Sequence, residues 1–364
     1  MKNKYVFVAV MLVCILVASM GLTTIYVNNT QSNEAKIDND EVKIVTSFYP
    51  MYVATENIIA GIDGVSLTNL SEPQTGCLHD FQMTPADMKL LSTADVFVIN
   101  GGGIEGFMSD VAGSYPELEI VEACQDISLL GESENDAQHE EAHVEVESHA
   151  HDEARHEESH VEEESHAHDD AQHEEVHVEE ESHAHDEVHA HDHGGENAHA
   201  WMSVKLYRSQ VATIASRLAE IDPDNSEAYL QNAREYDQKL EKLQEKQEEI
   251  MELAAGKNII IFHEAYEYVA SDYGMNVSYT MDLDEERQVS AGEVAEVIDE
   301  IRQNNVSVIL AEELYGKNMG DAVIKEADVQ VIYIDTLNRG NYGADSYITG
   351  MTNNIELIKT AFNK

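Results

Sequence analysis

Four side chains with metal-binding chemistry lie beside predicted strand and helix ends. His263 directly follows the apolar run NIIIF, and Asp335 closes the run VQVIYID. His79 lies in the loop segment GCLHDF, and His199 lies in NAHAWM just before a predicted helix. Parallel α/β sheets place ligands at the carboxyl ends of their strands. Three imidazoles and one carboxylate would fill the four positions of a tetrahedral zinc ion.

Each of these four residues also has an ordinary structural explanation. A histidine at a strand end is often a hydrogen-bonded polar residue, and Asp335 could simply cap the turn that follows its strand. A nitrogen-rich ligand set disfavours manganese, which prefers oxygen donors. On spacing alone, the zinc site and the structural explanation both remain open.

Residues 131–198 form a low-complexity insertion with 15 histidines, 25 acidic residues and one base. Three tandem copies of 17 residues occupy 137–153, 154–170 and 171–187. A repeat this short, with almost no large apolar residues, cannot build a packed core. We expect several weak auxiliary zinc sites here, acting as an antenna, although a tandem duplication without function is the alternative. The auxiliary residues are His139, His143, His149, His151, His156, His160, His166, His168, His173, His177, His183, His185, His189, His191 and His193.

The charge balance restricts the possible partners of the chain. Lys and Arg number 21 against 71 Asp and Glu, a formal net charge of −50. Such a field repels nucleic acid and anionic lipid and concentrates cations near the protein. We therefore expect no nucleic-acid partner, and we expect a monomer.

The N-terminus predicts export. Two lysines precede an uncharged apolar run over residues 5–25, so 1–27 is interpreted as a signal or membrane anchor and 28–41 as a polar tether. An uncleaved anchor is the first interpretation, and a cleaved form or lipidation at Cys14 stays open. Cys77 and Cys124 could pair outside the cell or remain free thiols.

Hydrophobic periodicity predicts an α/β fold of two lobes, each a mainly parallel sheet flanked by helices, joined by one long rigid helix. The N-terminal lobe spans 42–225 and contains the insertion, the linking helix spans 226–255, and the C-terminal lobe spans 256–364. The first strand, in KIVTSFYPMY, is expected to break at Pro50.

Two enzyme classes are disfavoured. Residues 101–106 read GGGIEG and match the dinucleotide-binding pattern after a strand, but such cofactors are scarce outside the cell and no substrate-domain motif follows. A zinc hydrolase keeps one coordination position for water. The H-E-x-x-H motif is also absent, since His263-Glu264 is followed by Ala-Tyr-Glu-Tyr. We expect no enzymatic activity.

Six segments in order carry a family resemblance: SFYPMY, GCLHDFQMTPADM, ADVFVINGGGIEGF, NAHAWMS, FHEAYEYVASDYGM and YIDTL. The chain resembles the zinc/manganese solute-binding proteins of ABC importers (cluster A-I, or cluster 9) over essentially everything after residue 42. A histidine-rich loop just before the second ligand is typical of the zinc-specific branch of that family.

The resemblance implies a ligand set and a role. The family's ligands fall on His79 and His199 in the N-terminal lobe and on His263 and Asp335 in the C-terminal lobe. The manganese branch carries glutamate at the position of His263, which favours zinc. The implied protein captures zinc outside the cytoplasm, tethered to the membrane or periplasmic if cleaved, and delivers it to an ABC permease with its ATPase on the other side. A manganese receptor of the same family, or a surface zinc buffer or adhesin, are the alternatives.

One departure from the family pattern lies at the second ligand. Asn197-Ala198-His199 replaces the usual Asp-Pro-His, which puts the local turn in doubt but retains the histidine.

Overall fold

The computed structural model describes residues 41–72, 78, 81–131, 196–283 and 288–363. The predicted anchor, the fifteen auxiliary histidines, His79 and Cys77 lie outside the described residues. Across the described ranges, no helix has both the length and the apolar character needed to cross a membrane.

The N-terminal lobe is built on a parallel four-stranded sheet of order β2-β1-β3-β4. Its strands are β1 (Val42–Thr46), β2 (Val65–Asn69), β3 (Val96–Ile99) and β4 (Glu119–Glu122). Its helices are α1 (Tyr49–Ile59), α2 (Pro85–Leu91) and α3 (Met108–Ser114). Strand β3 is buried along its whole length, as expected of an apolar run in the middle of a parallel sheet.

A two-stranded antiparallel ribbon brackets the histidine-rich insertion. Strand β5 (Leu130–Gly131) pairs with β6 (Glu196–Asn197), and Gly131 lies directly opposite Glu196. The last described residue before the insertion and the first one after it are therefore neighbours. The chain then passes through His199 into a 3₁₀ turn (Ala200–Met202).

One long helix connects the lobes, and the helix before it packs along its side. Helix α4 (Val204–Ile221) is followed by α5 (Ser226–Ala254), whose 29 residues span about 43 Å. One edge of α5 is buried, through Tyr229, Ala233, Tyr236, Leu240, Leu243, Gln247, Ile250 and Ala254. This helix contacts α1 of the first lobe and the last helix of the second, so it braces both.

The C-terminal lobe repeats the parallel-sheet architecture with strand order β10-β9-β7-β8. Its strands are β7 (Asn258–Ile261), β8 (Asn276–Thr280), β9 (Val308–Ala311) and β10 (Gln330–Tyr333). Its helices are α6 (Tyr266–Tyr273), α7 (Ala291–Asn304), α8 (Glu313–Val323) and α9 (Ser346–Phe362). The predicted fold class, two mainly parallel sheets joined by one long helix, is confirmed.

The prediction that the first strand breaks at Pro50 was wrong. The first strand ends at Thr46, before the proline, and Pro50 lies in the first turn of α1. Proline is tolerated there because the first N–H groups of a helix have no partner within the helix. Pro50 is thus part of a helix start.

Candidate metal site

His199 is buried in the short connection between β6 and the 3₁₀ turn. Its Nδ1 lies 3.0 Å from Oδ1 of Asn197 and 3.2 Å from Oε1 of Glu264, a residue of the other lobe. A proton on Nδ1 therefore has two oxygens to accept it, and the lone pair of the neutral ring is then on Nε2. A carboxylate behind a histidine is the usual way to orient a metal ligand.

His263 follows β7 and is buried, and its ring meets that of His199 edge to face at a centroid distance of 5.0 Å. Burial lowers the pKa of His263 to about 3, and the positive charge of Arg339 acts in the same direction. The imidazole is therefore neutral at pH 7. Its Nδ1 accepts the N–H of Ala265 at 3.0 Å. To bind a metal through Nε2, the neutral ring has to carry its one proton on Nδ1, and Nδ1 then no longer accepts the N–H of Ala265.

Asp335 lies just after β10, where its backbone is firmly held. Its N–H donates to Oδ1 of Asn354 and its carbonyl accepts from Nδ2 of the same amide, both at 2.8 Å. Its carboxylate accepts the N–H of Leu337 at 2.8 Å, and Leu337 has a left-handed φ of 55°. The turn-capping role considered for Asp335 is therefore present, and it uses Oδ1 only.

A partly buried cation lies close to the same region. The guanidinium of Arg339 pairs with Oε1 of Glu312 at 3.2 Å and lies 5.4 Å from the centroid of the Tyr315 ring. Its charge acts on both His263 and Asp335. Glu312 offsets part of this positive charge. Without Glu312, the full charge of Arg339 would repel a bound metal cation.

The described residues bring two of the four predicted ligands into contact. His199 and His263 are adjacent, whereas His79 lies outside the described residues. Within the described ranges, no group of three His, Cys, Asp or Glu side chains is placed to hold a metal ion. What the structure shows is a pair of buried imidazoles contributed by both lobes, without a complete ligand shell.

The glycine loop after β3 does not have the free backbone of a dinucleotide site. The N–H groups of Asn100 and Gly101 donate to the Glu105 carboxylate at 2.7 and 3.0 Å, and the Ser47 hydroxyl donates to it at 2.8 Å. A Cβ added at Gly101, where φ is +84°, would clash with the Glu122 side chain. The glycines allow close internal packing, and a carboxylate occupies the anion position.

Cys124 is a free, buried thiol. It accepts a hydrogen bond from Nε2 of Gln210 at 3.0 Å, and burial raises its pKa to about 12. A thiol with so high a pKa is protonated at neutral pH and is a poor nucleophile and metal ligand.

Comparisons with known proteins agree with this architecture. The family described as "Zinc-uptake complex component A periplasmic" matches residues 44–361. The high-affinity zinc uptake system protein ZnuA of Bacillus subtilis is 26% identical over 325 residues, covering 89% of this chain and 85% of that protein. The manganese-binding lipoprotein MntA of Halalkalibacterium halodurans is 23% identical over 370 residues, covering 100% of both.

A solved structure extends the likeness to the fold. The solute-binding protein FpvC of Pseudomonas aeruginosa, in complex with Mn²⁺, superposes with a TM-score of 0.66 at 21% identity. That match covers 89% of this chain and 99% of FpvC. Two parallel-sheet lobes that share one long helix are thus the fold of both proteins, and the family match over residues 44–361 makes this chain a metal solute-binding protein. The chain belongs to the family of periplasmic zinc-uptake complex components A, within the cluster A-I group that its sequence resembles.

Proposed function

We propose that this protein is an extracytoplasmic receptor that captures Zn²⁺ between its lobes and delivers it to an ABC permease. The observation that carries the proposal is the contact between His199 and His263, two buried rings from opposite lobes. His263 stays neutral over the whole physiological pH range, so no proton competes with the metal there. Two imidazoles favour zinc over manganese.

The proposed ligands are His79, His199, His263 and Asp335. The residue before His79, Leu78, is fully buried in the core, which anchors the chain beside that position. Oδ1 of Asp335 holds the turn, so Oδ2 is the oxygen we assign to the metal. Four protein ligands leave no position for water, in keeping with a binding protein that has no hydrolytic activity.

The histidine-rich insertion is proposed to be an auxiliary zinc antenna. Its two ends emerge from the β5–β6 ribbon, and Glu196 in that ribbon is three residues from His199. Weakly bound zinc would thus be concentrated close to His199. The proposed protein is a monomer. Its N-terminal lobe spans 42–225, its linking helix 226–255 and its C-terminal lobe 256–364.

Zinc titrations of the purified chain and of a deletion variant test the proposal. In the variant, Asn-Gly replaces residues 132–195, because a two-residue turn suits an antiparallel pair whose opposite residues are Gly131 and Glu196. Calorimetry with a competing chelator should find one tight site in both proteins and additional weak sites in the unaltered chain only. His263→Ala should weaken the tight site far more than the control His173→Ala in the repeats.

Loss of all tight binding in the deletion variant would place the site in the repeats and make the protein a zinc buffer. Tighter binding of Mn²⁺ than of Zn²⁺ would favour the manganese receptor instead, the activity named for the relative from Halalkalibacterium halodurans.

A further inference from the structure

The carbonyls of the residues before and after Asp335 are held by aromatic side chains from the two segments that carry the histidines. The hydroxyl of Tyr266 donates to the carbonyl of Ile334 at 2.8 Å. The indole N–H of Trp201 donates to the carbonyl of Thr336 at 2.8 Å. Tyr266 is three residues after His263, and Trp201 is two residues after His199.

Both donors are fully buried and have little room to move. Trp201 and Tyr266 are each 0% exposed. The Trp201 ring packs edge to face on Phe48 at 5.0 Å, and its own carbonyl accepts the hydroxyl of Tyr347 at 2.8 Å. Hydrogen bonds in such surroundings have no water to replace them, so removing a donor leaves a buried carbonyl unsatisfied.

With Asn354 on its own N–H and carbonyl, Asp335 has three consecutive peptide units fixed by side chains. The position of the carboxylate relative to the imidazoles then depends on these bonds. Trp201 ties it to the His199 segment across the lobes, and Tyr266 ties it to the His263 segment. Metal ligation requires ligands to be placed to within about 0.5 Å.

We propose that Tyr266 and Trp201 are positioning residues for metal capture, which fix the Asp335 carboxylate against His199 and His263. The inference rests on the proposed function and adds two residues that touch no metal themselves. It accounts for how the Asp335 carboxylate on one lobe keeps a fixed position relative to His199 on the other lobe.

The test is a double-mutant cycle on the full chain, with Zn²⁺ affinity measured by chelator competition. Tyr266→Phe removes one hydroxyl and should weaken tight binding about 10-fold, the lower end of the 10–100-fold effect of residues that orient metal ligands. In an Asp335→Ala background the same change should have no effect, because the carboxylate it positions is gone. A merely structural role would weaken binding equally in both backgrounds.

Tyr273→Phe is the matched control. Tyr273 lies on the same helix, and its buried hydroxyl has no hydrogen-bond partner in the described structure. Its removal should leave zinc affinity unchanged in both backgrounds. Trp201→Phe repeats the cycle from the other lobe and carries the test if thermal melting shows that Tyr266→Phe does not fold.

An unchanged affinity in Tyr266→Phe and Trp201→Phe, or equal losses with and without Asp335, would overturn the positioning role while leaving the receptor intact. Absence of any tight zinc site in the unaltered chain would instead overturn the proposed function, and the positioning role with it.

Discussion

At the scale of single residues, burial moves two titratable groups in opposite directions. Burial raises the pKa of Glu105 to about 7, although the hydrogen bonds from Asn100, Gly101 and Ser47 favour its charged form. Burial lowers the pKa of His263 to about 3. Each shift means that one proton is exchanged with solvent when the protein folds. Glu105 takes up a proton on folding and His263 gives one up.

The consequence for Glu105 is a pH-dependent stability. Between the ordinary value of 4.5 and about 7, the folded state binds this proton and the unfolded state does not. The contribution of Glu105 to the free energy of unfolding is complete below pH 4.5 and falls as pH rises through that window. The slope is at most about 1.4 kcal/mol per pH unit. His263 contributes the opposite slope between about 3 and 6.5.

Glu105→Gln removes the first contribution and leaves the second. We expect the variant to gain stability relative to the unaltered chain as pH rises from 4.5 to 6.5, measured by urea unfolding at several pH values. The difference between the two chains isolates Glu105, because every other titratable group is common to both. Parallel curves would show that Glu105 stays ionised in the folded protein.

Residue types and strand ends predict the two buried histidines and Asp335 as candidate ligands, but they do not predict the contacts that orient them. Glu264 stands next to His263 in the sequence, yet its carboxylate is beside His199. Trp201 and Thr336 are 135 residues apart. Such pairings depend on how the two lobes meet, which periodicity within one segment cannot show.

At the scale of secondary-structure elements, three helices meet on one partly buried carboxylate. Asp272 of α6 accepts hydrogen bonds from Ser203, the N-cap of α4, at 3.1 Å and from Gln247 of α5 at 2.9 Å. Burial raises the pKa of Asp272, and the two hydrogen bonds oppose that shift. The junction joins the first lobe, the linking helix and the second lobe.

Removing this carboxylate should loosen the junction. We expect Asp272→Ala to lower the free energy of unfolding by about 1–3 kcal/mol, because two buried donors lose their acceptor. Asp272→Asn should cost less, since an amide oxygen still accepts and Gln247 can turn its amide. Chemical denaturation measures both, with Glu249→Ala on the exposed side of α5 as the control. Equal losses in Asp272→Ala and the control would contradict a structural junction.

The alternation of strands and helices in the second lobe was predictable, because each element there is a clear apolar or amphipathic run. In the first lobe, hydrophobic periodicity does not predict α2 or β2. Helix α2 begins with a capping box between Thr84 and Asp87, a signal that the sequence does contain. Strand β2, VSLTN, is only partly buried, and its alternation of apolar and polar residues includes only two apolar residues, Val65 and Leu67. Its place at the sheet edge depends on pairing with β1.

At the scale of the whole molecule, the two lobes are tied together away from the histidines as well. The hydroxyl of Tyr49 donates to the carbonyl of Asn341 at 2.7 Å, and Nδ2 of Asn57 donates to that of Ala344 at 2.8 Å. Helix α5 contacts both lobes. These ties favour metal capture by local adjustments of loops and rings over a wide opening of the lobes.

Charge also acts at this scale. Residues 132–195 hold 24 acidic residues against one base, close to half of the net charge of −50. We expect the association rate of Zn²⁺ to fall as ionic strength rises from about 0.01 to 0.15 M, where the screening length shrinks from about 30 to 8 Å. The variant lacking 132–195 should show a shallower dependence. Stopped-flow exchange from a coloured chelator measures both rates, and equal salt slopes would remove any steering role for the insertion.

The β5–β6 ribbon gives the insertion an unusual evolutionary freedom. Because Gly131 and Glu196 are neighbours, the length of chain between them is not constrained by the geometry of the lobes. Unequal recombination among the three 17-residue copies would add or remove whole units without shifting His199. Lineages in zinc-poor and zinc-rich habitats could therefore differ in the number of copies while inheriting the same pair of buried histidines.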